Sequence, residues 1–243
     1  MALQDEINQE TRKLKDMPFK KKAEYIWEYY KFHIIGTVAA IIFICVFIRD
    51  WRENRKPVYL DMIVINSDIA YTEDNPVKDD FIKYAGIDTG VYNLSIDTSF
   101  VMSDSGMDQM SLANSEKLMA MFAAGTIDLL LGPDDLIDEY GAMNAYMNLE
   151  DVLTPDIRAR LEQKGYELYY TTVYEEDESG KPVPSGTFLA GVYLDNSEYL
   201  NGLNGIDIFR TQKDAGKRPV IAFAYSAKNP DHALQMLKML TGI

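Results

Sequence analysis

The sequence predicts an α/β domain that follows a single transmembrane helix near the N-terminus. Residues 34–48 (IIGTVAAIIFICVFI) form a run of fifteen residues without a charged side chain. Behind this run, short apolar segments that are typical of buried strands alternate with longer amphipathic segments that are typical of helices. Alternation of this kind favours a partly parallel sheet that is covered by helices.

The apolar run has the flanks of a membrane-spanning helix. Aromatic residues, among them Trp27 and Trp51, lie on both sides of it, where rings are expected to meet the membrane–water interface. A hydrocarbon core about 30 Å thick needs roughly 17–25 helical residues. We therefore predict that residues 32–51 span the lipid bilayer, with Lys31 and Arg49 reaching outward. The alternative is a buried core helix, but such a helix seldom carries aromatic and charged residues at both ends.

The sequence after the run argues against cleavage of a signal peptide. RDWRENRKP (49–57) has no small residues at the spacing of a cleavage site. Cys45 follows Ile44 inside the run, whereas a lipoprotein signal needs a small residue before a cysteine at the end of the run. We interpret residues 32–51 as an uncleaved signal-anchor.

The distribution of basic residues predicts the orientation. Seven basic residues precede the apolar run at 34–48 and four follow it within residues 49–56, a bias that favours a cytoplasmic N-terminus. Residues 1–31 are then a cytoplasmic tail and juxtamembrane helix, and residues 58–243 are an extracytoplasmic α/β domain.

The outer domain is strongly acidic. The chain has 24 basic and 38 acidic residues, and 13 basic and 30 acidic ones lie after residue 56, a formal net charge of −17 for that part. Such a charge argues against nucleic acid and anionic membrane surfaces as partners of this domain. Neutral or cationic ligands, or another protein, are favoured instead. Cys45 is the only cysteine, so the outer domain is expected to have no disulfide, as in a bacterial surface protein.

The elements of the outer domain follow from apolar periodicity and from turn residues. Strands are predicted at 58–66, 91–102, 127–131, 166–174, 186–194 and 220–225. Helices are predicted at 76–84, 110–124, 134–140, 156–164 and 230–240. The polar segment 175–185 between two strands predicts a hairpin. We expect the strands at 58–66, 127–131 and 220–225 to share one sheet, covered by the helices at 110–124 and 230–240.

Two segments resemble bacterial extracellular solute-binding proteins of transport systems. The first is AAGTIDLLLGPDDLIDEYGAMNAYMNLEDVL (123–153), in which a helix ends in a small-residue turn and a short strand delivers a loop. The second is VIAFAYSAKNPDHALQMLKMLTG (220–242), a strand followed by a helix start. The resemblance implies a periplasmic-binding-protein-like fold and ligand binding between two lobes. The family is usually longer, so the second lobe is expected to be reduced here.

The topology of an open α/β sheet predicts where a ligand binds. Ligands lie beyond the carboxyl ends of parallel strands, where helix N-termini supply donors. We expect contacts with Ser67, Asp68, Pro133 and Asp134, and Tyr225 is the candidate stacking surface. The alternative is that these residues serve ordinary strand-to-helix turns.

Motifs of known chemistry are absent from the sequence. His33, His232 and Cys45 do not make a His/Cys metal cluster, and no P-loop, dinucleotide-binding or nucleophile-elbow motif occurs. The acidic turn at 104–108 lacks the full EF-hand pattern. We expect no cofactor, no metal and no catalysis. The first hypothesis is a membrane-anchored protein that binds a small ligand or peptide. The second is a ligand-free accessory subunit of a membrane complex, and the third is a hydrolase with an acidic catalytic pair.

Overall fold

The structure is a computed structural model that describes residues 18–53, 55–69, 75–103, 108–150, 152–205 and 207–243. The chain divides into two compact units, Met1–Lys56 and Pro57–Ile243. The acidic turn at 104–108 lies outside the described residues except for Asp108.

The described residues form helices and strands that agree with most of the predicted elements. The helices are α1 (Phe19–Glu53), α2 (Pro76–Ala85), α3 (Gln109–Ala124), α4 (Asp134–Gly141), α5 (Pro155–Gln163), α6 (Glu198–Gly202), α7 (Arg210–Asp214) and α8 (Pro230–Thr241). The strands are β1 (Val58–Ile65), β2 (Asn93–Phe100), β3 (Leu129–Pro133), β4 (Leu168–Glu176), β5 (Pro182–Tyr193) and β6 (Pro219–Phe223). The sequence did not predict α6 and α7, because helices of five residues are too short to show a period.

Helix α1 contains the apolar segment. Its stretch Tyr30–Glu53 has 24 residues and contains an 18-residue window with a mean hydropathy of 2.3, and 0% of that window is buried. Length and composition suffice for crossing a membrane, and a signal sequence near the N-terminus has the same properties. A core helix would be mostly buried, so the exposure of this segment disfavours that alternative.

The second unit is built on one mixed sheet of six strands in the order β2-β1-β3-β6-β5-β4. Strands β2, β1 and β3 are parallel to one another. Strand β6 is antiparallel to β3 and to β5, and β5 forms the predicted hairpin with β4. The prediction that β1, β3 and β6 share one sheet is confirmed.

Both faces of the sheet are covered, because successive strand side chains point to opposite sides. On one face, Leu118 of α3 joins a core cluster with Ile63 and Leu130. On the other face, Leu237 of α8 joins a cluster that contains Met62. The two helices thus cover the sheet as predicted, and the carboxyl ends of β1 and β3 lie along one edge.

Candidate functional site

Four of the five predicted site residues lie at this carboxyl edge of the sheet. Ser67 and Asp68 follow β1, Pro133 ends β3, and Asp134 begins α4. Tyr225 lies elsewhere, because β6 runs against β3: Leu129 pairs with Phe223, and Pro133 pairs with Pro219. The residues after β6 are therefore at the opposite end of the sheet, and the structure does not bring Tyr225 together with the other four.

The polar groups at the carboxyl edge bind other parts of the domain. The Asp68 carboxylate accepts a hydrogen bond of 2.9 Å from the backbone N–H of Thr211 at the start of α7. Asp134 Oδ1 accepts one of 3.1 Å from the backbone N–H of Arg218, and Asp134 N donates to Arg218 O at 2.9 Å. Ser67 Oγ is buried and has no hydrogen-bond partner among the described residues. These hydrogen bonds join the edge to segments that are distant in sequence, so Asp68 and Asp134 already have structural partners.

A cluster of side chains around Arg218 stabilises the same edge. Arg218 Nη2 lies 2.6 Å from Asp195 Oδ2, and Nη1 lies 3.1 Å from Glu167 Oε2. The guanidinium also stacks on the ring of Tyr193, with its carbon 3.9 Å from the ring centroid. The hydrogen bond to Asp195 raises the pKa of Arg218 above its already high ordinary value. The cluster thus cross-links β6 to the residues that flank β4 and β5.

Tyr225 lies on an apolar groove at the other end of the sheet. Its side chain is 76% exposed, and the groove beside it has a volume of about 240 Å³. Its lining comes from the end of α3, the turn after α4 and the turn after β6. We call this surface the Tyr225 groove, and its residues are Met119, Phe122, Ala123, Tyr140, Met143, Asn144, Ala145, Tyr225 and Ser226.

Backbone geometry fixes the walls of the Tyr225 groove. Gly125 has φ +63°, and its N–H bonds to carbonyl oxygens of the last turn of α3, so the chain turns away where the groove begins. Asn144 also has a positive φ, 57°, in the turn after α4. Tyr225 N donates to Ala145 O at 2.8 Å, which joins the two turns. The groove is therefore held by main-chain contacts.

The floor of the groove is aromatic and uncharged. The Phe122 ring lies 5.7 Å from the Tyr140 ring and 6.3 Å from the Tyr146 ring, measured between centroids. Burial raises the pKa of Tyr140, and the negative charge of Glu139 adds to the rise. The Tyr140 hydroxyl is thus neutral at physiological pH. An apolar or aromatic group fits this floor, and an acidic residue lies beside it.

Helix α3 was predicted to cover the sheet, but only some of its apolar side chains face the core. Leu118 is buried as expected, but Met119 is 48% exposed and Leu112 is 52% exposed. With Ala123, these two exposed residues form a second stripe at spacings of seven and four. The signal was present in the sequence, since α3 has more apolar residues than one buried stripe of a helix needs.

A buried carboxyl group lies on β1, on the α3 side of the sheet. Asp61 Oδ1 is buried and has no hydrogen-bond partner within the described ranges. Burial raises the pKa of Asp61 from 3.8 to about 6; the neighbouring Ser95 hydroxyl lowers it, and the charges of Asp128 and Asp97 raise it. The folded protein therefore binds a proton here at a pH where the unfolded chain has released it.

This raised pKa predicts how stability changes with pH. Because the folded state holds the Asp61 proton more tightly, the free energy of unfolding falls as pH rises from about 4 to about 6 and stays lower above that. In Asp61→Asn this loss is absent, so the variant should exceed the parent by about 1–2 kcal/mol at pH 8 and match it near pH 4. Urea unfolding at both pH values measures the difference.

Asp97→Asn is the control, and its expected change in the free energy of unfolding has the opposite sign. Burial raises the pKa of Asp97, but hydrogen bonds from Ser99 outweigh it and leave the pKa lowered. The ionised form of Asp97 therefore stabilises the fold, and Asp97→Asn should be less stable than the parent at pH 8. An Asp61→Asn variant that is no more stable than the parent at pH 8 would contradict the assignment.

Among the residues that the structure describes, no group of three or more His, Cys, Asp or Glu side chains is arranged to hold a metal ion. Comparison of the chain with protein-family models, with curated proteins and with solved structures finds no match. The geometry of the second unit is thus the basis for inferring a function, and the Tyr225 groove is its candidate binding site.

Proposed function

We propose that the chain is a single-pass membrane protein whose outer domain binds a short peptide segment of a partner protein and catalyses no reaction. The observation that carries this proposal is the Tyr225 groove, an apolar groove with an exposed aromatic wall. Clustered exposed apolar side chains on a folded domain are typical of interaction surfaces. The resemblance to solute-binding proteins supports the same general role, which is to bind.

The size and lining of the groove favour a peptide side chain over a free small molecule. Its volume of about 240 Å³ is below the 300–1,000 Å³ that is typical of small-ligand sites. Met119 and Met143 form part of the rim, and Met143 is 57% exposed. Methionine side chains are flexible and polarizable, so they adapt to varied apolar partners. Tyrosine is a frequent hot-spot residue in protein interfaces, which is the role we propose for Tyr225.

Charge predicts which residues flank the bound side chain. The part of the chain after residue 56 has a formal net charge of −17. The exposed Glu139 adjoins Tyr140 at the groove floor. A segment with an apolar anchor and a lysine or arginine beside it complements this surface, and opposite charges also accelerate association.

The apolar part of α1 supports attachment to the membrane. Its stretch of 24 residues, with an 18-residue window of mean hydropathy 2.3, suffices to cross a bilayer. The aromatic flanks and the seven-to-four basic bias support an uncleaved anchor with a cytoplasmic N-terminus. In this arrangement the Tyr225 groove faces the outside, within reach of a neighbouring membrane protein or a secreted one. The second candidate is an accessory subunit that binds a membrane complex through another surface. The carboxyl edge of the sheet supports it, because Asp68 and Asp134 there already bind other parts of the domain.

Peptide selection tests the proposed function. The full chain in lipid nanodiscs is used to select random short peptides displayed on phage. We expect enriched peptides to carry an aromatic or aliphatic residue beside a basic one. Methionine-methyl NMR should show shifts of Met119 and Met143 when such a peptide is added. Tyr225→Ala should weaken binding about tenfold, as truncation of an interface hot spot does.

The control is Tyr170→Ala, since Tyr170 is also exposed (51%) and lies on β4, outside the groove. This variant should bind the selected peptides like the parent. Failure to enrich any peptide, or equal binding by Tyr225→Ala, would reject the groove as the site and favour the accessory-subunit alternative.

A further inference from the structure

A second cavity lies on the α8 side of the sheet, whereas the Tyr225 groove lies on the α3 side. Its volume is about 300 Å³, at the lower end of the range for small-ligand sites. The cavity is formed where the end of α5, the start of α6 and the end of α8 meet. Its lining residues are Lys164, Tyr166, Asn196, Glu198, Tyr199, Met239, Leu240, Thr241 and Gly242.

One wall of the cavity carries an ammonium group with spare donor capacity. Lys164 Nζ donates to Gly242 O at 2.6 Å and is 3.4 Å from Thr241 O. These carbonyls lie at the negative end of the α8 dipole, which favours a cation there. An ammonium group has three N–H donors. Two are directed at the carbonyl oxygens, and the third remains for an anionic group in the cavity.

Another wall carries a carboxylate that binds no other described group. Glu198 is exposed and has neither an ion pair nor a side-chain hydrogen bond among the described residues. Glu198 and Tyr166 line the same cavity, and burial followed by the negative charge of Glu198 raises the pKa of Tyr166. The cavity thus presents one fixed positive group and one available negative group.

Two tyrosine rings on the remaining walls are held in place. Tyr199 Oη donates to Asp80 Oδ2 at 3.0 Å, and Tyr166 Oη donates to Thr241 O at 3.2 Å. Leu240 is buried and Met239 is partly buried beside these rings. Because both rings are fixed by hydrogen bonds, they offer a preformed surface to an aliphatic side chain.

We infer that this cavity binds a free α-amino acid with an aliphatic side chain. The ligand carboxylate binds Lys164, the ligand ammonium binds Glu198, and the side chain packs against Tyr199 and Met239. A zwitterion matches two opposite charges at once, whereas a singly charged molecule leaves one of them unpaired. This site is separate from the Tyr225 groove, so amino-acid binding and peptide binding are independent properties of the domain.

Equilibrium dialysis with radiolabelled L-leucine tests the inference on the full chain in lipid nanodiscs. L-Leucinamide lacks the carboxylate, and 4-methylpentanoate lacks the ammonium. Each compound should compete with L-leucine about tenfold less well than unlabelled L-leucine, because each loses one charge-assisted hydrogen bond. No saturable binding of L-leucine, or competition by either analogue that equals competition by unlabelled L-leucine, would overturn the inference.

Two variants locate the site. Glu198→Gln and Lys164→Gln should each weaken L-leucine binding about tenfold. Because Lys164 also bonds the end of α8, Glu198→Gln is the decisive variant: its side chain binds no other described group, so the fold should persist. Glu162→Gln is the matched control, an exposed carboxylate of α5 outside the cavity. If Glu198→Gln binds L-leucine as well as Glu162→Gln does, the assignment of the cavity as the amino-acid site is overturned. This outcome does not depend on whether the Tyr225 groove binds a peptide.

Discussion

Replacing Gly191 with alanine should destabilise the unit Pro57–Ile243 by about 3–5 kcal/mol. Gly191 lies in β5 opposite Ala222 of β6. A Cβ atom at this position would overlap the carbonyl oxygen of Ile221 and would lie 3.1 Å from the Cα of Ala222. These neighbours are backbone atoms of the sheet, so no side-chain rotation relieves the overlap. The strands must separate, and the ladder between them must weaken.

The position of Gly191 makes the effect large. Strands β5 and β6 pair over three residues only, Gly191–Tyr193 with Val220–Ala222. This short ladder joins the β4–β5 hairpin to the rest of the sheet. Main-chain hydrogen bonds lost here leave buried groups unpaired, at a cost of about 1–3 kcal/mol each. Damage at this ladder should therefore affect the whole antiparallel half of the domain.

Urea unfolding followed by far-ultraviolet circular dichroism measures the change. Gly186→Ala is the matched control, because Gly186 lies in the same strand and a Cβ there meets nothing within 4 Å. The control should stay within about 0.5 kcal/mol of the parent. Equal unfolding midpoints for the two variants would show that β5 and β6 approach each other less closely than described.

The strands were predictable from sequence where burial dominates their composition. Strands β1, β3 and β6 are buried along most of their length, and such strands have nearly continuous apolar runs. The direction of β6 was not predictable, because a buried strand has the same composition in parallel and antiparallel pairs. Its direction depends on the connection at 194–218, where the short helices α6 and α7 show no period. That direction decides where Tyr225 lies.

The two proposed binding sites were predictable to different extents. The exposed stripe of α3 was visible as excess apolar residues, but the turns that complete the Tyr225 groove were not. The amino-acid cavity combines residues from the ends of three helices, and no motif connects Lys164 with Glu198. Asp68 and Asp134 were predicted as ligand contacts from topology, and that prediction stands beside their observed hydrogen bonds to Thr211 and Arg218. Sequence patterns thus indicate sheet edges and helix faces. A site that combines distant segments can be located only when the fold is known.

The second large effect concerns membrane topology, and labelling of introduced cysteines should give an all-or-none result. Cys45 is the only native cysteine and lies in the apolar helix. In a Cys45→Ser background, Glu178→Cys places a thiol in the exposed β4–β5 turn, and Lys20→Cys places one before the span. A charged maleimide cannot cross a bilayer, because moving a charge into hydrocarbon costs several kcal/mol. In intact cells it should label Glu178→Cys fully and Lys20→Cys not at all.

Permeabilised cells provide the control, since both thiols should then react. Labelling of Lys20→Cys alone in intact cells would reverse the orientation and place both proposed sites in the cytoplasm. Their candidate ligands would then be cytoplasmic peptides and amino acids. A mature chain that begins near residue 50 would instead identify the apolar helix as a cleaved signal. The distinction matters physically, because anchoring confines the acidic domain to the membrane surface, where the effective concentration of a neighbouring partner is high even when affinity is modest.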